Sequence, residues 1–223
     1  MQAILITGAG SGLGRELALL FSQNNYHILL LGRSQDKLQK VKTEIELQGG
    51  RADVIQADIR SYQDVSSKVK QISEHYSLHG LINNAGVGYF GPFLKMDESE
   101  ILEMTETNIL GTIYVTKAVL PILEQQNSGH ILNIISTAGL RGKVNEAVYV
   151  ASKFAVRGFT ESLQKEYEKS GIKCTAVYMG GMDTPFWENS DHIKDPSRLR
   201  SAKEVAEIIM SQLDEESIVI ENK

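Results

Sequence analysis

Short apolar runs alternate with longer amphipathic stretches along the whole chain, and this alternation restricts the fold more than any other feature. The runs are Ala3–Ile6, His27–Leu31, Ala52–Gln56, Gly80–Ile82, His130–Ile135, Cys174–Tyr178 and Ile218–Ile220. They are too short for buried helices and rich in Ile, Leu and Val, so they read as strands buried on both faces. Between them helices are expected over Leu13–Gln23, Gln35–Leu47, Tyr62–His75, Glu98–Glu124, Ala147–Lys169 and Ala202–Leu213. In Tyr62–His75 the apolar Val65, Val69 and Ile72 recur at helical spacing between polar residues. Strand, helix, strand in repetition demands parallel strands joined by right-handed crossovers. The expected architecture is α/β: a Rossmann-type, doubly wound, parallel seven-stranded sheet with helices on both faces, in a single domain over residues 1–223.

Composition removes several function classes. The chain of 223 residues carries 23 basic against 28 acidic side chains, a net charge of -5, and so has none of the basic excess of a nucleic-acid surface. No apolar stretch approaches the ~20 residues of a membrane span. The N-terminus runs straight into an apolar strand pattern, Gln2 to Thr7, without a basic leader. The one cysteine, Cys174, excludes an intramolecular disulfide and, lying in an apolar run, reads as a small buried hydrophobe. A soluble cytoplasmic protein is expected.

In doubly wound sheets, ligands sit at the carboxyl ends of the strands. The first strand ends in Thr7-Gly8-Ala9-Gly10-Ser11-Gly12-Leu13-Gly14, and a helix follows at once. Glycines let a backbone turn tightly against a pyrophosphate, and the amides of the helix end then face the anion. The spacing is Gly8-x-x-x-Gly12-x-Gly14; Leu13 stands where the G-x-G-x-x-G pattern wants its third glycine. At the end of the second strand an NAD site usually has a carboxylate for the ribose 2′-hydroxyl. Here the strand runs Leu31-Gly32-Arg33-Ser34. A guanidinium suits a 2′-phosphate, and Ser34 adds a hydroxyl, which favours NADP; a solvated arginine is the plain alternative. Asp36 fits the first turn of the next helix.

Tyr149 and Lys153, four residues apart in a helical pattern, share a face. A lysine charge ~5 Å from a phenol favours its ionised form by ~3 kcal/mol, which would bring the tyrosine toward neutrality. Taken alone, the pair is a weak motif. Ser136, at the end of the fifth strand, could fix a carbonyl oxygen beside that phenol. Asn108 is out of place inside a long helix, where a buried polar role such as holding a water near Lys153 would explain it. Asn83-Asn84-Ala85-Gly86 closes the fourth strand, either as an ordinary turn or against a cofactor's ribose and adenosine. Asp58, with Ile59 beside it, either meets an adenine amino group or caps the helix beginning near Ser61.

These residues together closely resemble the short-chain dehydrogenase/reductase family over essentially the whole chain. Thr-Gly-x-x-x-Gly-x-Gly at 7–14, Asn83-Asn84-Ala85-Gly86, Asn108, Ser136 and Tyr149-x-x-x-Lys153 match its signatures in order and separation. The resemblance implies an NADP(H)-dependent oxidoreductase acting on a carbonyl or alcohol. Tyr149 would be the general acid, Lys153 would hold the ribose, Ser136 would position the carbonyl and Asn108 would hold a relay water. Gly8, Ser11, Gly12, Leu13, Gly14, Arg33, Ser34, Asp58, Ile59, Asn84, Ala85 and Gly86 would contact NADPH, as would Gly180, Met182 and Thr184 in the loop after the sixth strand. Homodimers or homotetramers are implied, with the Glu98–Glu124 and Ala147–Lys169 helices as the dimer surface.

Two departures stand out. Met179 replaces the family's usual proline before Gly180, which predicts a freer loop. The chain ends soon after the last strand, so a C-terminal extension over the pocket is not expected. Tyr89, Phe90, Leu140, Met182, Phe186 and Trp187 are the expected apolar pocket, suited to a hydrophobic substrate. His192, Lys194, Arg198 and Arg200 either greet an anionic substrate group or are solvated. An epimerase or dehydratase would want further acid–base groups. A scaffold would want a lesioned site. A non-catalytic NADP(H) sensor on the same fold is the alternative, against which the intact Ser136, Tyr149 and Lys153 argue.

Overall fold

The computed structural model describes residues 2–188, 190 and 192–223. Its seven main strands are β1 (Gln2–Thr7), β2 (His27–Gly32), β3 (Arg51–Gln56), β4 (Ser77–Asn83), β5 (Gly129–Ile134), β6 (Ile172–Met179) and β9 (Ser217–Ile220). They form one parallel sheet in the order β3-β2-β1-β4-β5-β6-β9. The strands are buried on both faces because successive residues point to opposite sides. Ile4, Ile6, Ile28 and Leu30 pack on helices α1 (Gly12–Gln23), α2 (Gln35–Leu47) and α7 (Ala202–Ser211). Their neighbours Ala3, Leu5, Leu29 and Leu31 pack on the opposite face with α3 (Tyr62–Ser73), α5 (Thr112–Gln126) and α6 (Ala147–Glu166). The strand order reverses beside β1, and the glycine turn lies at that switch point, where such sheets open a crevice.

One expected element differs. Glu98–Glu124 is not a uniform helix: α4 (Glu98–Met104) passes through a π-helical stretch, Thr105–Gly111, into α5. The wider turn carries Asn108, and single π turns inside α-helices are frequently functional. Two strands of two residues, β7 (Met182–Asp183) and β8 (Arg200–Ser201), pair as a small separate ribbon beyond β6.

His130 on β5 bridges to Thr175 of β6 at 2.8 Å, and burial, aided by the Lys173 charge, pushes its pKa down to about 4. An unfolded histidine takes its proton near pH 6.5, so the buried neutral ring contributes stability that is complete above pH 6.5 and is lost as pH falls through about 4. The loss is expected to reach ~3 kcal/mol. Urea unfolding followed from pH 7 to pH 4 should show it, and a His130→Gln variant should show less of it.

Candidate active site

Local hydrogen bonding fixes the glycine turn against the end of β4. Thr7 Oγ1 accepts from the amides of Asn84 and Ala85, both at 3.0 Å. The Asn84 amide donates to the carbonyls of Thr7 (3.0 Å) and Gly8 (3.3 Å). Gly8 and Gly12 have φ of +64° and +53°, which favours glycine. A Cβ on Gly14 would lie 2.5 Å from both Asn84 Nδ2 and the Gly8 carbonyl oxygen, so no larger residue fits. The third glycine of this turn therefore serves close packing. Asn83 faces inward, donating to Thr116 Oγ1 (2.9 Å) and Asn133 Oδ1 (2.8 Å).

The turn opens on a cleft of about 800 Å³ that runs along the carboxyl ends of the strands. Of the cofactor and catalytic candidates named from the sequence, all line it except Gly14, Ser34 and Asn108. Ser34 instead occupies the N-cap position of α2. Arg33 and Lys37 border the cleft together, beyond the end of β2. Lys37 was missed, although it follows Arg33 by four residues at the start of a helix, which was a usable signal. The Arg33 guanidinium lies 3.6 Å from Glu103. Asp58 does not cap α3; Ser61 does, accepting from the Asp64 amide at 3.2 Å. Both Asp58 oxygens accept from Arg60, which holds the carboxyl below its ordinary range.

The deep end of the cleft gathers Ser136, Tyr149 and Lys153, all buried. Ser136 has φ +134°, a strained value for a residue with a side chain and one that concentrates at functional sites. Its Oγ accepts from the Ala138 amide at 3.1 Å. The Lys153 ammonium lies 5.7 Å from the centre of the Tyr149 ring and donates to the Ile134 carbonyl at 3.2 Å. The pairing of the two was expected; its electrostatic effect differs. Burial pushes the phenol above its ordinary 10, the Glu146 charge adds to this, and the hydrogen bond with Ser136 offsets part. Burial likewise pushes Lys153 down to about 8. Among the protein's own groups burial dominates, so Tyr149 holds its proton at neutral pH.

Asn108 makes no direct approach to the cleft. Its side chain accepts from the Val87 amide (2.9 Å) and donates to the Val87 carbonyl (2.9 Å) and Ser152 Oγ (3.0 Å). Ser152 in turn donates to the Tyr149 carbonyl at 2.7 Å, so Asn108 ties the segment after β4 to the helix that bears Tyr149 and Lys153. Within the same π turn Thr107 lines the cleft, and its buried hydroxyl has no hydrogen-bond partner among the described residues.

The apolar wall is partly as expected. Phe90 and Phe186 meet the Tyr149 ring at 5.3 and 6.0 Å between centroids, and Trp187 stacks on Phe90 at 5.0 Å. Leu140 is not in the pocket; it packs on Ile135, Val156, Ala176 and Tyr178. Tyr89 does not line the main cleft; it packs beside Phe90 against Met104 and Tyr149, and its hydroxyl donates to Glu103 at 2.5 Å. Nor is the loop after Met179 free. Gly180 donates to the Ile220 carbonyl at 2.7 Å, the Lys223 amide to the Arg198 carbonyl at 3.1 Å, and Asn222 lines the cleft beside Gly180. The final residues brace the loop that proline would have stiffened, and nothing in the local sequence signals this.

The residues present fit a dinucleotide. The first turn of α1 carries no acidic residue, Ser11 stands at its N-cap without using its hydroxyl as a cap, and Thr184 sits against Gly12. The Thr107 hydroxyl adds a buried polar group with no partner among the described residues. Anions are favoured at such a helix end.

A glycine-turn crevice that joins a buried Ser–Tyr–Lys cluster on a seven-stranded parallel sheet defines an oxidoreductase class. The chain belongs to the short chain dehydrogenase family, whose model matches residues 2–195. It is similar to the sepiapterin reductase of Chlorobaculum tepidum, with 32% identity over 98% of this chain and 93% of that one. Among solved structures it is similar to an actinorhodin polyketide ketoreductase with NADPH (28% identity, TM-score 0.90, 98% of this chain and 95% of that one). It is also similar to an alcohol dehydrogenase from the archaeon Thermococcus sibiricus with 5-hydroxy-NADP (26% identity, TM-score 0.87, 99% and 95%).

Proposed function

We propose that the chain is an NADP(H)-dependent reductase of small carbonyl compounds. The observation that carries this reading is one continuous cleft with Arg33 and Lys37 at one end and the buried Ser136, Tyr149 and Lys153 at the other. The relatives support it, since their names describe reduction of carbonyls or oxidation of alcohols.

The glycine turn and the α1 amides hold a pyrophosphate, with Gly8, Ser11, Gly12, Leu13 and Thr184 around it. Arg33 and Lys37 hold a 2′-phosphate. Asp58 and Ile59 would border the adenine, Asn84, Ala85, Gly86 and Lys153 the ribose, and Gly180 and Met182 the nicotinamide. When bound, NADPH supplies a hydride. Ser136 donates a hydrogen bond to the substrate carbonyl oxygen and fixes its position. Tyr149, kept protonated by burial, gives its proton to that oxygen as it becomes an alcohol. Asn108 keeps the helix carrying Tyr149 in place through Ser152. The reading includes a homodimer, supported by the exposed Leu102, Leu110 and Phe154 on α4, the π turn and α6.

Consumption of NADPH, followed at its own absorbance against aldehydes, ketones, diketones and sepiapterin, tests this. Turnover with NADPH well above NADH is the expected result. Tight NADPH binding without turnover on any of them would favour a sensor.

A further inference from the structure

The aromatic wall facing Tyr149 is assembled from separate loops. Phe90 follows β4, Trp187 follows β7 and His192 lies in the loop beyond. Their rings stack: Phe90 on His192 at 4.7 Å, Phe90 on Trp187 at 5.0 Å, Trp187 on His192 at 6.1 Å. Loops without regular structure lose much conformational entropy when ordered, so such a stack needs an anchor.

Glu146 is placed to be that anchor. It stands at the N-cap of α6, yet its side chain makes no cap bond. Its carboxylate turns to the cleft, where Oε1 lies 2.9 Å from His192 Nε2 and Oε2 lies 4.0 Å from Lys143 Nζ. The residue is only 7% exposed, and a carboxylate at that depth requires a partner. It precedes Tyr149 by three residues, so one rigid helix carries both the phenol and the tether of the wall opposite.

We propose that Glu146 is a positioning residue of the substrate pocket: by holding His192 it sets the Phe90–Trp187–His192 stack against Tyr149 and thereby the space left for a carbonyl substrate. The words "substrate pocket" rest on the reductase reading above; the tether itself does not.

Trp187 is the single tryptophan of the chain, so its fluorescence reports the stack without turnover. Glu146 is linked to it through His192, whose ring stacks on Trp187. Four full-length variants are compared: Glu146→Ala, His192→Ala, the double variant and Glu146→Gln, whose amide oxygen still accepts from His192. Both alanine variants are expected to shift the emission to the red and to increase quenching by acrylamide. The double variant should do so no more than either single, and Glu146→Gln should resemble the wild type. With the best carbonyl substrate, the KM should rise about tenfold in the alanine variants, with kcat and the KM for NADPH much less affected. Unchanged emission in Glu146→Ala, or effects that add in the double variant, would overturn the proposal. If the wild type turns over no carbonyl at all, the reductase reading fails, while the emission still decides the tether.

Discussion

Tyr149→Phe is expected to lower carbonyl turnover by about 10²- to 10⁴-fold while leaving NADPH affinity unchanged. The substitution removes one hydroxyl and keeps the ring that packs on Phe90 and Phe186. Losing the one hydroxyl is expected to cost the fold ~1 kcal/mol or less. What disappears is the proton that burial retains on the phenol at neutral pH. Steady-state rates together with a titration of NADPH fluorescence separate the two quantities. A sensor using the same fold would lose neither, since neither its binding nor its signal needs that proton.

The second large effect is expected at the other end of the cleft. Replacing Arg33 and Lys37 together by alanine should weaken NADPH binding by about a hundredfold or more and leave NADH binding nearly as it was. In the proposed reading each cation would make a charge-assisted contact with a 2′-phosphate worth ~1.5–3 kcal/mol, and every ~1.4 kcal/mol is tenfold in affinity. The Arg33 side chain is 57% exposed, so the lower end of that range applies to it, and raising the salt concentration should shrink the wild-type preference. Glu103, 3.6 Å from the guanidinium, would compete with the phosphate for it. Equal losses for both cofactors would mean that the two residues support the fold of the cleft and do not read the phosphate.

Much of this molecule was legible in its sequence, for identifiable reasons. All seven main strands follow from apolar runs, because a parallel sheet buried on both faces leaves no room for polar alternation. The cleft residues follow from chemistry located at strand ends. The π turn was not legible, since a locally wider helix leaves the apolar period almost unchanged; only the misplaced Asn108 hinted at it. Leu140 was misplaced because apolarity next to a strand end does not reveal which way a 3₁₀ turn points its side chains. The protonation of Tyr149 was misjudged because spacing shows the lysine beside the phenol and hides the burial of both. Lys37 and Glu146 carried the right spacing, four residues after Arg33 and three before Tyr149, but spacing alone does not single out one charge among the many on these helices. The bracing of the Gly180 loop by Ile220 joins residues forty apart and has no local sign.

The most direct test of the central claim is transfer of label. The protein would be given NADPH deuterated at the transferable position of the nicotinamide, together with each carbonyl of the panel, and the products examined by mass spectrometry. The account predicts an alcohol carrying one deuterium on the former carbonyl carbon, formed by the wild type and lost with Tyr149→Phe. An alcohol without deuterium, or no alcohol from any carbonyl at saturating NADPH, would contradict it.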